Sequence, residues 1–153
     1  MTKNNKRILK LILLLAWMVV IFLLSGKLGA QSGSLSSSTI ADVQKYLPSL
    51  GEQMAVLLVR KAAHILMYAV LGILTINLLS EYKLKRAVLV GYSLLFVAVF
   101  ASFDEIHQYF VGGRSSSPRD VLIDVVGGLI GIGIFIGACK LWQARKNHVK
   151  VVR

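Results

Sequence analysis

Charged side chains are scarce in this sequence: they make up 16% of its 153 residues, whereas hydrophobic side chains make up 56%. The mean hydropathy is +0.68, and a soluble domain of this length could not bury so much apolar surface. The single cysteine, Cys139, excludes an internal disulfide. The sequence also lacks the GxSxG, P-loop and dinucleotide-binding motifs. An integral membrane protein without a common catalytic signature is therefore the expected class.

Four apolar segments have about the length needed to cross a bilayer, at residues 8–24, 60–79, 87–104 and 120–142. They predict an all-α integral membrane protein with four transmembrane helices in one domain, residues 1–153. Residues 25–55 form the one long connection, and their Ser/Gly-rich first half predicts a flexible external loop.

The first segment also resembles a signal peptide, with a basic N-terminal region, the apolar core Leu11–Leu24 and LGA-Q at 28–31. Its apolar core is near the upper length limit for such peptides, so an uncleaved span is favoured over cleavage.

The distribution of lysine and arginine predicts the orientation. With four spans, twelve of the eighteen basic residues lie on one side: four at the N-terminus up to Lys10, three between spans two and three, and five from Lys140 onward. Glu81 is the one acidic residue there, whereas the opposite side has six basic and six acidic residues. The positive-inside rule places both termini in the cytoplasm. The net charge of +11 is then a topology signal and does not require a nucleic acid partner.

Three separate pieces of sequence bring polar residues to the predicted external membrane surface. Spans two and three meet this surface at RKAAH (60–64) and DEIHQ (104–108), and residues 114–124 lead into span four. Intramembrane ionisable residues favour a functional site, because lipid cannot solvate them. The contributing residues are Arg60, Lys61, His64, Tyr68, Asp104, Glu105, His107, Gln108, Arg114, Arg119, Asp120 and Asp124.

Helical spacing predicts which of these residues face each other. Arg60, His64 and Tyr68 recur every four residues and form one stripe. The residues Asp104, His107 and Gln108 share a face, with Glu105 turned aside. An arginine at position 60, 114 or 119 is the expected partner of Asp124. The glycines of span four, at 127, 128, 131, 133 and 137, predict close approach of another helix.

The residue types suggest acid/base chemistry next to an anion-binding group. His64 with Asp104 or Glu105 could transfer protons near neutral pH, while Arg60 and Arg114 could hold a phosphate or pyrophosphate. The spacing of the histidines and carboxylates matches no characteristic zinc motif, so no metal or other cofactor is expected.

Structural explanations exist for the same residues. Arg60 and Lys61 are also typical anchors of a helix end in lipid headgroups. The carboxylates of span three could pair with them and hold two spans in register. Asp120 follows Ser117-Pro118, a helix-start pattern, and is at least partly structural. The alternative to a site is thus a non-catalytic scaffold or partner subunit in which the charges lock the helices together.

Three motifs in order, RKAAHILMYAVLG, DEIHQYFVGGR and the Asp120-containing segment before VGGLIG, resemble the VanZ-like family across residues 60–131. Two positions differ from the family's usual pattern. Gly112-Gly113 replaces a frequent Pro-Gly, and Asp124 stands where asparagine is common. The resemblance implies that the family's polar positions are Arg60, Lys61, His64, Tyr68, Asp104, Glu105, Gln108, Arg114 and Asp120.

The family is named for a protein that lowers susceptibility to the glycopeptide teicoplanin, which implies a multi-pass protein of the bacterial plasma membrane. The expected partners are membrane lipids, including a lipid-linked phosphate or pyrophosphate at the outer leaflet. Neither the residues nor the resemblance decides between binding and catalysis, and neither indicates an oligomeric state.

Overall fold

The computed structural model describes residues 2–30, 45, 51–112 and 118–151, and within these ranges the chain is helical without any strand. Each of the four long helices contains a stretch long and apolar enough to cross a membrane. The predicted all-α fold with four spans is therefore confirmed, while the cytoplasmic position of the termini stays a prediction. The helices are α1 (Lys3–Ala30), α2 (Glu52–Leu79), α3 (Arg86–Gly112) and α4 (Pro118–Val151), and a 3₁₀ turn (Ser80–Tyr82) follows α2.

All four helices extend beyond the predicted spans of 8–24, 60–79, 87–104 and 120–142. The prediction counted apolar residues, but a helix continues through polar residues once its backbone leaves the hydrocarbon. The largest consequence is at the end of α1, which continues to Ala30. Residues 25–30 are therefore helical and do not belong to the external loop, whose remainder up to residue 50 lies outside the described residues apart from Lys45.

At one end of the bundle, hydrogen bonds and an ion pair connect the beginning of α1 to the end of α2. Arg7 donates a hydrogen bond from Nη2 to the Glu81 carbonyl oxygen at 3.0 Å, and its guanidinium lies 4.7 Å from the centre of the Tyr82 ring. Lys10 donates from Nζ to the Asn77 carbonyl oxygen at 3.1 Å and forms an ion pair with the Glu81 carboxylate. Lys10 is thus an interhelical partner that holds α1 antiparallel to α2.

Helix α2 is the centre of the bundle, since it packs against the other three helices and most extensively against α4. A Cβ atom added to Gly131 would lie 1.9 Å from the Ala69 carbonyl oxygen, and one added to Gly72 would lie 2.4 Å from the Gly128 carbonyl oxygen. Glycine is required at these positions because the two backbones are in contact. The predicted close approach at the first glycines of span four is therefore confirmed.

The last two glycines of span four behave differently from the prediction. Nothing lies within 4 Å of a Cβ added to Gly133 or Gly137. These residues follow the contact with α2, so the expectation of close packing there is wrong within the described chain.

These two environments predict opposite effects of the same substitution. Gly131→Ala should destabilise the protein by about 1–3 kcal/mol, because the added methyl overlaps the α2 backbone. Gly133→Ala has free space and should leave stability unchanged or slightly raised, since alanine is the better helix former. Thermal unfolding of the detergent-purified variants measures both effects, and equal midpoints for the two variants would contradict the α2–α4 contact.

Candidate functional site

Buried polar side chains collect at the end of the bundle opposite the Arg7–Glu81 contacts. They come from the end of α1, the first half of α2, the end of α3 and the beginning of α4. Each is enclosed by neighbouring helices, in contrast to the apolar side chains that cover much of the outside of the bundle. The buried residues are Ser25, His64, Tyr68, Asp104, Glu105, Gln108 and Asp124.

The Asp104 carboxylate is the centre of a hydrogen-bond network that joins three helices. Its Oδ2 atom accepts hydrogen bonds from Ser25 Oγ of α1 at 2.9 Å, Tyr68 Oη of α2 at 3.3 Å and Gln108 Nε2 at 3.1 Å. Gln108 also donates to Ser25 Oγ. Three donors on one oxygen fix the orientation of the carboxylate and compensate for part of its desolvation.

A second polar contact joins α2 to α4. His64 Nδ1 lies 3.1 Å from Asp124 Oδ1, and both side chains are almost completely enclosed. A carboxylate oxygen accepts only, so Nδ1 is the protonated nitrogen when His64 is neutral. Asp124 therefore fixes the tautomer of His64, as the carboxylate of a histidine–carboxylate pair does in general-base sites.

The Asp104 network and the His64–Asp124 pair lie next to each other. His64, Asp104 and Asp124 each offer an atom of metal-ligand type, and the three atoms lie within 4.8 Å of one another. Three buried atoms in these residues have no hydrogen-bond partner in the described part of the chain: His64 Nε2, Asp104 Oδ1 and Asp124 Oδ2.

A small cleft opens beside His64 and Asp124. Two basic residues, Arg60 and Lys61, lie in its wall one helical turn before His64. Lys61 Nζ is 3.9 Å from an Asp120 carboxylate oxygen, but the lysine side chain is 46% exposed. Such a long, solvated ion pair is weak, so Lys61 remains able to contact an anion. The cleft is lined by Leu57, Arg60, Lys61, His64, Glu105, Asp120, Ile123 and Asp124.

The structure brings most of the predicted site residues to this region. The cleft contains five of the nine polar positions that the resemblance implies, and Tyr68, Asp104 and Gln108 form the adjoining network. The predicted stripe of α2 is confirmed, since Arg60 and His64 line the cleft and Tyr68 follows one turn deeper. Arg114 and Ser117 lie outside the described residues. The five predicted residues in the cleft are Arg60, Lys61, His64, Glu105 and Asp120.

Three details differ from the sequence-based expectations. Glu105 is buried and lines the cleft instead of turning aside, because α2 and α4 together enclose more of α3 than one face. His107 does not join Gln108 in the network; its ring stacks on Phe22 of α1, with ring centres 3.7 Å apart. Asp124 contacts His64, which was not among its expected partners, because the glycine-mediated approach of α4 to α2 places it there; one of the expected partners, Arg114, lies outside the described residues.

Ser25 is the site residue that sequence reasoning missed. It was assigned to the external loop because it follows the last leucine of the first apolar segment. Its side chain is 99% buried and hydrogen-bonds Asp104. A small hydroxyl residue one position past an apolar segment carries too weak a signal to be assigned a partner before the helix packing is known.

The fold and the site define a small multi-pass membrane protein with a polar site enclosed between its helices. A profile of the VanZ/LLP1 family matches residues 10–142, and the chain belongs to this family. No curated protein and no solved structure matches it significantly. The family match extends well beyond residues 60–131, on which the resemblance was based, and includes most of α1 and of α4.

The Asp104 network predicts graded losses of stability. Tyr68→Phe removes one hydrogen bond and should cost about 0.6 kcal/mol, the average for hydrogen bonds between membrane helices. Asp104→Ala deprives three buried donors of their acceptor and should cost several times as much. Thermal unfolding in detergent is the measurement, with Tyr92→Phe, at an exposed tyrosine of the same bundle, as the matched control. If Tyr68→Phe and Tyr92→Phe have the same midpoint, the hydrogen bond contributes nothing.

Proposed function

We propose that this protein acts in the bacterial cell envelope, where its cleft binds an anionic amphiphile at the outer leaflet and thereby lowers susceptibility to teicoplanin. The observation that carries the proposal is the cleft with Arg60 and Lys61 in one wall and buried acid/base residues beside them. The orientation predicted by the basic residues puts this end of the bundle at the external surface.

The expected ligand is a lipid-linked phosphate or pyrophosphate. A guanidinium and an ammonium group on adjacent residues can each donate charge-assisted hydrogen bonds to phosphate oxygens. The carboxylates of Glu105 and Asp120 in the same cleft would repel an anion placed against them. The phosphate should therefore contact the basic wall, with its lipid chain leaving toward the membrane.

The same residues could support turnover. His64, held by Asp124, and the buried Glu105 are candidates for proton transfer to a ligand bound in the cleft. Asp104 is less suited to this role, because one of its oxygens already accepts three hydrogen bonds. The binding proposal holds with or without a chemical step.

The competing proposal is a scaffold or partner subunit in which the polar residues lock the helices together. The observation in its favour is the Asp104 network, which joins α1, α2 and α3. Arg60 separates the two proposals, since the Asp104 network does not include it. Lys61 is less decisive, because it pairs with Asp120 of α4.

The first test is teicoplanin susceptibility in a susceptible bacterial host that expresses the protein. Arg60→Gln, His64→Gln, Glu105→Gln and Arg114→Gln should each return the minimal inhibitory concentration to that of the empty vector, with normal protein levels. Lys85→Gln removes an exposed charge in the connection between α2 and α3 and should behave as the wild type. Loss of protein in the four site variants would favour the lock, and a retained phenotype at normal levels would contradict the site.

The second test measures binding directly. The full chain is placed in phosphatidylcholine nanodiscs, and a polyprenyl phosphate is titrated with a neutral polyprenol as the comparison lipid. The phosphate should bind more tightly than the alcohol, and Arg60→Gln should weaken its binding about tenfold or more, as expected for a charge-assisted hydrogen bond. Equal affinity for the two lipids would contradict recognition of an anion.

A further inference from the structure

We propose that His64, Asp104 and Asp124 bind a divalent transition-metal ion of the zinc or manganese type between α2, α3 and α4. The inference is independent of the proposed ligand, because it rests on the three side chains alone. Each residue comes from a different helix, and their ligand-type atoms lie within 4.8 Å of one another.

All three residues are almost completely buried. Asp124 is 0% exposed, Asp104 is 1% exposed and the His64 side chain is 6% exposed. In the described part of the chain, neither aspartate forms an ion pair with a lysine or an arginine. Two buried carboxylates whose cationic contact among the described residues is a single histidine are costly at membrane depth, and one divalent ion would balance their charge.

The unpartnered atoms indicate what kind of group is bound. His64 Nε2, Asp104 Oδ1 and Asp124 Oδ2 are buried and have no hydrogen-bond partner among the described residues. The two carboxylate oxygens present lone pairs. Buried lone pairs from two aspartates favour an electron-pair acceptor, and a metal ion can accept from both carboxylates and from the imidazole of His64.

Neighbouring side chains orient these ligands, as they do in known metal sites. In such sites a second group usually orients each ligand through its other polar atom. Three donors fix Asp104 through Oδ2, which leaves Oδ1 free. His64 Nδ1 lies 3.1 Å from Asp124 Oδ1, which is a usual separation for two ligands of one ion. Ligands about 2.0–2.2 Å from one ion lie roughly 3–3.6 Å apart. The 4.8 Å group therefore needs side-chain movements of about 1 Å to close on an ion.

The ligand set selects the class of metal. Magnesium and calcium prefer oxygen ligands throughout, whereas an imidazole with carboxylates suits zinc, manganese or iron. Three protein ligands also leave a coordination position open. His64 and Asp124 line the cleft, so that position is accessible to a molecule in the cleft.

The sequence-based expectation of no metal rested on the lack of local ligand spacing. Positions 64, 104 and 124 lie on three helices, so no local spacing could have indicated this group. With a metal bound, His64 serves as a ligand, and proton transfer would fall to other groups of the cleft.

The test uses the full chain, purified in detergent with a tag that contains no histidine, stripped with a chelator and passed through gel filtration. It is incubated separately with Zn²⁺, Mn²⁺ and Mg²⁺, and the retained metal is measured by mass spectrometry. We expect about one Zn²⁺ or Mn²⁺ per chain and no retained Mg²⁺, as the mixed nitrogen and oxygen ligands predict. Wild-type protein that retains neither transition metal overturns the proposal.

Two variants locate the ion. His64→Gln and Asp124→Asn should each weaken metal affinity about 100-fold or more, because each removes a ligand or its charge. His107→Gln is the matched control: it removes the half-buried histidine of this region, which stacks on Phe22 outside the group, and should retain the ion. Stoichiometric metal in both ligand variants, or loss in the control alone, overturns the assignment.

A measurement on the wild-type protein tests the metal site even if the variants fail to fold. Zn²⁺ should raise the thermal midpoint of the stripped protein, and a chelator should reverse the increase, since an ion that binds the folded state stabilises it. An unchanged midpoint at saturating Zn²⁺ overturns the proposal.

The metal test is separate from the proposed function. Arg60→Gln should lose polyprenyl phosphate binding and retain the metal, because Arg60 is not a ligand. Lipid binding without any metal would refute the metal site alone, and metal binding without lipid recognition would refute the proposed function alone.

Discussion

The packing of the bundle is constrained by the need to stabilise buried carboxylates where lipid cannot solvate them. The Asp104 carboxylate is stabilised by hydrogen bonds that one of its oxygens accepts from Ser25, Tyr68 and Gln108. Because these donors belong to α1, α2 and α3, the cost of burying one charge becomes a constraint on three helices. The direction of the Tyr68 side chain and the length of α1 are both consequences, since Ser25 must still be helical to face Asp104. Hydrogen bonding of a buried acid thus positions the rest of the polar region.

The approach of α4 to α2 has a different origin. Lipid chains are as apolar as leucine, so helices in membranes associate through close packing of small residues. Gly127 and Gly131 let the two backbones touch. One to two turns earlier, the same approach brings Asp124 against His64. The glycine contact is therefore part of the site, because a wider spacing between α2 and α4 would separate the acid from the imidazole.

Much of this arrangement could be predicted from the sequence. The four spans follow from apolar length, and the stripe from Arg60 through His64 follows from helical period. Partners across helices could not be predicted in the same way. The rotation of α3 decides whether Glu105 faces the cleft, and that rotation depends on contacts with three neighbours. Asp124 illustrates the limit: the cost of its burial predicted an arginine as its partner, but the packing of α4 places it against His64.

The cleft combines two charge environments that a single anion could not satisfy. Arg60 and Lys61 attract a phosphate, whereas Glu105, Asp120 and Asp124 in the same cleft repel it. A metal ion on His64, Asp104 and Asp124 would reduce this conflict at the inner end, because it would neutralise the two aspartates and offer an open coordination position. The basic wall would then supply the net positive charge of the cleft, and the ion would supply a coordination position beside it. The two proposals are independent in their evidence, yet they are compatible in their electrostatics.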